Sequence, residues 1–155
     1  MTQEKTLLVP VDFSDGSARA TEVAVDLAKS LGAELLLVTV FDLPMYAASM
    51  GVVPGGTAIA AINDVMEKVR EGTEGELTKL ASELSKRGLS VRHRLAEGVP
   101  AAAIVSLAED EDAAMIVMGT HGRTGIERLV IGSVAEKVLR MASCPVLTVP
   151  LGKDD

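Results

Sequence analysis

The chain has one cysteine, no tryptophan, one tyrosine and two phenylalanines among its 155 residues. A lone Cys144 cannot close an internal disulfide and excludes a zinc site built from cysteines. Phe13, Phe41 and Tyr46 are too few to stack successive bases, which excludes an aromatic platform for single-stranded nucleic acid. The core must be assembled from Val, Leu, Ile, Ala and Met instead. Positive charge is also scarce: 15 Lys and Arg stand against 22 Asp and Glu, a formal net charge of −7. That is the wrong sign for gripping a nucleic-acid backbone. A small anion stays open, because backbone N–H groups and helix N-termini bind anions at any net charge. There is no run of ~18 apolar residues and no cationic start leading into an apolar stretch. The sequence therefore predicts a cytoplasmic chain with no membrane span and no nucleic-acid partner.

What is present is an alternation of two periodicities over a length that suits a single domain, 1–155. Thr6 to Val11 is a short apolar run, ended by Asp12 and the turn cluster Ser14-Asp15-Gly16-Ser17. Ala20, Val23, Ala24, Leu27, Ala28 and Leu31 then recur at helical spacing, and Gly32 is a natural stop. Ala33 to Val40 is a second continuous apolar run, the kind that suits a strand buried on both faces. From Phe41 to about Thr57 no period is sustained, which predicts a long functional or mobile connection. Apolar positions from Ile59 to Leu84 predict a long helix closed by Gly88 and weakened in its middle by Gly72 and Gly75.

Leu89 to Ala96 alternates, with Leu89, Val91, His93 and Leu95 on one side and Ser90, Arg92 and Arg94 on the other. This predicts a strand with one wetter face, His93 being partly buried and without a role. Pro100 suits the first turn of a helix. The acidic run Glu109-Asp110-Glu111-Asp112 reads as that helix's solvated stop. Ala113 to Met118 and Cys144 to Val149 are further strands. Between them a helix begins at Ser133, where Ser133 and Glu136 have capping-box spacing. The order β-α-β-α-β-α-β-α-β implies an α/β fold with an open parallel sheet, right-handed crossovers and helices on both faces.

In such sheets ligands bind at the carboxyl ends of strands, where the strand order reverses. Two strand ends are specialised: Pro10-Val11-Asp12, and Met118-Gly119-Thr120-His121-Gly122. The segment from Gly119 to Ser133 has the spacing G-x2-G-x9-G-S, through Gly119, Gly122, Gly132 and Ser133. Its chemistry is phosphate binding, by close backbone N–H groups and a helix N-terminus with the Ser133 hydroxyl beside it. The same glycines also read as ordinary turn residues. Asp12 is placed to accept from a ribose hydroxyl. Arg123 is either a phosphate contact or a solvated loop residue, and His121 an exposed loop residue or a catalyst. Ser14 and Ser17 read as helix caps, and Cys144 as packed and inert. No Walker lysine and no Rossmann G-x-G-x-x-G follows the first strand, and no motif encodes fast hydrolysis.

These segments resemble the universal stress protein family. VPVDFSDGSARA is similar to that family's first strand and loop, and VMGTHGRTGIERLVIGSVAEKVLRMASCPVLTVP to its signature end. The resemblance runs from about Lys5 to Pro150. It implies a three-layer, five-stranded sheet of order 3-2-1-4-5 and the family's ATP-binding branch. In that reading Asp12 holds the ribose, and Pro10, Val11, Val40 and Met118 surround the adenine. Gly119, Gly122, Gly132, Ser133 and Val134 bind phosphates, with His121 and Arg123 beside them. Mg²⁺ or Mn²⁺ bridges the phosphates, although the sequence shows no dedicated metal ligands. The implied function is a stress-responsive regulatory module with an unidentified signalling partner. The alternatives are a nucleotide-independent interaction module or holdase, and an ATPase using His121 or Asp12. The fifth strand, at an edge in this order, has an apolar run whose pairing across a two-fold axis predicts a homodimer through Val146–Val149.

Overall fold

Strands and helices alternate along the chain because apolar runs and amphipathic segments alternate in its sequence. The computed structural model describes residues 4–51, 59–121 and 131–152. Among these the order is β1 (Thr6–Pro10), α1 (Asp15–Leu31), β2 (Glu34–Phe41), α2 (Leu43–Ser49) and α3 (Ile59–Lys86). Then follow β3 (Val91–Glu97), α4 (Pro100–Asp110), β4 (Met115–Gly119), α5 (Ser133–Met141) and β5 (Val146–Val149). The strands form one sheet of order β3-β2-β1-β4-β5, with every pairing parallel. The expected fold class and strand order are those observed.

Side-chain alternation along the strands sorts the core into two layers. Leu7, Val9, Leu35, Leu37 and Val117 point to the side covered by α1 and α3, where Ala24, Val25, Leu77 and Leu84 complete the packing. Leu8, Leu36, Val38, Ile116 and Met118 point to the other side and meet Ala101, Ile104, Ala135 and Val138 of α4 and α5. Both faces of the central strands are thereby dry, which is why their sequences are continuously apolar.

Helix α1 starts at the Ser14 cap, whose hydroxyl accepts from Ser17 N–H, and ends at Gly32 in the left-handed region at φ 62°. Its buried face is rotated relative to the one read from the sequence. Thr21 and Val25 join Ala20, Ala24 and Ala28, whereas Leu31 is exposed. Thr21 can be buried because its hydroxyl donates to the Ser17 carbonyl at 2.8 Å.

Three further expectations are corrected, and the expected long helix is found. The connection after Phe41 is not wholly irregular: it contains α2, begun by Asp42, whose carboxylate accepts from Met45 N–H at 3.2 Å, with a proline in the first turn. Helix α3 runs unbroken through Gly72 and Gly75, its packing against β2 and β3 through Leu77, Ala81 and Leu84 outweighing glycine's cost. His93 is exposed, its Nε2 3.2 Å from the Thr78 hydroxyl. The acidic run is not wholly solvated: Glu111 pairs with Arg92 at 2.9 Å and Arg94 at 3.2 Å, tying the end of α4 to the outer strand β3. Arg92 also pairs with Glu34 at 2.6 Å. Among the described residues no helix is long and apolar enough to cross a membrane.

Candidate functional site

The strand order reverses between β1 and β4, whose chain neighbours β2 and β5 lie on opposite sides. Crossovers depart in opposite directions there and leave a crevice beyond the strand ends. In this protein the crevice is a cleft of about 320 Å³. The residues singled out from the sequence that line it are Pro10, Val11 and Asp12 after β1, Val40 on β2, and Met118, Gly119 and His121 at the end of β4. Gly132, Ser133 and Val134 at the start of α5 line it too. Gly122 and Arg123 lie outside the described residues.

Asp12 is held by its own loop. Its Oδ1 accepts from Ser14 N–H at 3.0 Å and from the Ser14 hydroxyl at 2.5 Å. Phe13 between them has φ 61°, in the left-handed region that bulky residues rarely occupy. That turn brings Ser14 N–H back onto the carboxylate, while the Phe13 ring packs on the α1 side of the core. Ser14 is the cap read from the sequence, whereas Ser17, read as a cap too, lies inside α1, where its hydroxyl donates to the Ser14 carbonyl at 3.1 Å, and it lines the cleft.

The end of β4 is fixed by backbone crowding. A Cβ on Gly119 would lie 2.9 Å from the Gly16 carbonyl, and a Cβ on Gly16 would collide with the His121 carbonyl. Gly132 donates its N–H to the Thr120 carbonyl at 2.6 Å, and a Cβ on Gly132 would lie 2.9 Å from that same oxygen. These glycines are needed for close backbone packing whatever binds in the cleft. His121 is buried, contrary to the exposed loop position anticipated, because its Nδ1 pairs with the buried Thr120 hydroxyl at 2.8 Å.

The expected capping box at α5 is not formed. Gly132 occupies the cap position, its carbonyl accepting from Glu136 N–H at 3.0 Å, and Ser133 is the first helical residue. Glu136 pairs with Arg140 at 2.5 Å instead. Ser133 is thus exposed on the cleft beside the helix's first N–H groups.

Much of the cleft's lining is apolar. Val38, Met45, Pro100 and Ile104 join Val40 and Met118 there, and none of these four was singled out from the sequence as a site residue. The cleft therefore combines apolar side chains with a carboxylate and a helix N-terminus. That suits a ligand with a flat, weakly polar group joined to an anionic one. Among the described residues no three His, Cys, Asp or Glu side chains gather to hold a metal ion. Cys144 lies outside the cleft, and burial pushes its thiol above the ordinary range, consistent with a packed residue.

Comparison with known proteins agrees with this geometry. The sequence model of the Universal stress protein family matches residues 4–150. Universal stress protein MJ0531 of Methanocaldococcus jannaschii is 36% identical over 151 residues, covering 97% of this chain and 85% of that one. The solved structure of MJ0577 from the same organism has a TM-score of 0.77 and 28% identity, covering 97% of this chain and 98% of that chain. A universal stress protein of Archaeoglobus fulgidus solved in complex with dAMP has a TM-score of 0.62 and 25% identity, covering 96% of this chain and 98% of that one. The structure of a universal stress protein in complex with cAMP has a TM-score of 0.63 and 26% identity, covering 97% of this chain and 100% of that one. With the strand order, the cleft at its reversal and a family match spanning nearly the whole length, this chain belongs to the universal stress protein family.

Proposed function

We propose that this protein is a regulatory module that binds ATP in the cleft between the ends of β1 and β4. The observation that carries the reading is the union, in one cleft, of an apolar portion with Asp12 and the start of α5. The base would lie among Val40, Met118 and Ile104. Asp12 would accept from ribose hydroxyls, and the N–H groups at Ser133 and Val134 would meet phosphate oxygens. Complexes of similar proteins with cAMP and dAMP support an adenine nucleotide as the ligand class. Mg²⁺ or Mn²⁺ would arrive with the polyphosphate, since no metal cage exists among the described residues. The output would pass to a signalling partner.

The test is to release and identify any nucleotide that copurifies, then titrate ATP into the stripped protein by calorimetry. An adenine nucleotide in the extract and saturable heat are expected. A folded protein that yields neither overturns the reading.

A homodimer belongs to the same proposal. Among the described residues β5 has a hydrogen-bonded neighbour on one side only, and its Leu147 is 37% exposed. A second copy would cover that edge. One observation favours the holdase reading: Leu43, Met45 and Met50, in and just after α2, are exposed and could form an adaptable apolar surface. Client protection that persists with ATP-blocked clefts would favour it over the nucleotide reading.

A further inference from the structure

Among the described residues two thioethers line the cleft, and they differ sharply in exposure. Met118 is buried at 5% exposure, whereas Met45 is 69% exposed. Met45 belongs to α2, which has no buried residue. The helix is held by the Asp42 cap and by a ring contact between Phe41 and Tyr46 at 5.6 Å. Met45 is the one α2 residue that lines the cleft, whose lining also includes the apolar Val38, Val40, Pro100, Ile104 and Met118. It thus combines an apolar position in a ligand cleft with open access for a small oxidant.

We infer that Met45 is an oxidation site through which peroxide lowers the ligand affinity of the cleft; this rests on the nucleotide reading above. The thioether sulfur attacks one peroxide oxygen. The S–O bond forms as the O–O bond breaks, the sulfur supplies two electrons, and water leaves. The product sulfoxide is polar and accepts hydrogen bonds strongly, so it replaces a soft apolar contact with a group that water solvates better than an adenine face does. Sulfoxide formation is reversed by methionine sulfoxide reductase, so the change is a switch.

The experiment treats the intact protein with graded hydrogen peroxide, follows each methionine by peptide mass spectrometry, and measures ATP affinity at each stage. Met45 is expected to oxidise at least about tenfold faster than Met118, as its access dictates. ATP affinity should fall roughly three- to tenfold in step with Met45 oxidation and recover after reductase treatment. In Met45→Leu the variant's own affinity should be the same before and after peroxide, wherever it starts. Met50→Leu and Met141→Leu remove exposed methionines that do not line the cleft and should stay peroxide-sensitive. Unchanged affinity with Met45 fully oxidised, slow oxidation of Met45, or equal sensitivity in Met45→Leu overturns this inference alone. Failure of the untreated protein to bind ATP overturns it together with the nucleotide reading.

Discussion

Gly119 and Gly16 touch backbone to backbone: a Cβ on Gly119 would sit 2.9 Å from both the carbonyl carbon and the carbonyl oxygen of Gly16. The end of β4 and the first turn of α1 are therefore locked together at the floor of the cleft. Gly119→Ala must push one backbone off the other and should cost about 1–3 kcal/mol, an overpacking penalty. Thermal or urea unfolding without nucleotide checks it. Gly132→Ala faces the Thr120 carbonyl at 2.9 Å and should behave alike. Lost nucleotide binding in either variant is then no measure of phosphate contacts, because the scaffold has moved.

The glycines of α3 should respond oppositely. A Cβ at Gly72 or Gly75 meets nothing within 4 Å, and both residues lie inside a continuous helix. Gly72→Ala and Gly75→Ala should each stabilise the protein by about 0.5–1 kcal/mol, by lowering the entropy of the unfolded chain. A higher urea midpoint at unchanged slope is the expected result.

Asp12→Asn separates fold from ligand. An asparagine Oδ1 still accepts from Ser14, so stability should change little. If Asp12 holds a ribose hydroxyl as proposed, the charge-assisted bond is lost and ATP binding should weaken roughly tenfold or more. Calorimetry on the folded variant reads this directly.

One ion pair gives a pH signature. Arg87 donates two hydrogen bonds to Glu22 at 2.9 and 3.0 Å and holds that carboxyl below its ordinary value of 4.5. A depressed carboxylate stabilises the fold above its unfolded pKa, and the contribution fades as pH falls through the lower folded value. The stability difference between the parent and Glu22→Gln should be small and constant above about pH 5.5, then vanish in acid. A difference that grows on acidification would contradict the assignment.

The β5 edge is tested by charge. Leu147→Lys places an ammonium on the exposed apolar strand and should convert a dimer to a monomer in light scattering, with the monomer still folded. A parent already monomeric at micromolar concentration overturns the pairing.

Much of this architecture is legible in the residues. The buried strands announce themselves because β1, β2 and β4 are dry on both faces, and Asp12, Gly119 and Ser133 are visible as specialised positions at element ends. What sequence hides is whatever depends on a neighbour. Ile104 reads as a core position, and it is one, but the same apolar face of α4 also lines the cleft. Periodicity cannot separate those uses. Helix α2 buries nothing, so it leaves no periodic trace; its signal was Asp42 followed by Pro44 in the first turn. His121 looks like a loop residue until the Thr120 hydroxyl is seen beside it. Ser133 looks like a cap until Gly132 is found in that place.

The two rims of the sheet are not equivalent. β3 carries Arg92 and Arg94, tethered to Glu34 and Glu111. Both side chains lie on the face of the sheet turned to α4, where these pairs anchor β3 to the elements beside it. In the proposed pairing, the β5 edges of two chains would satisfy one another. A pair closed in that way would use up the β5 edge of both chains and offer none to a third.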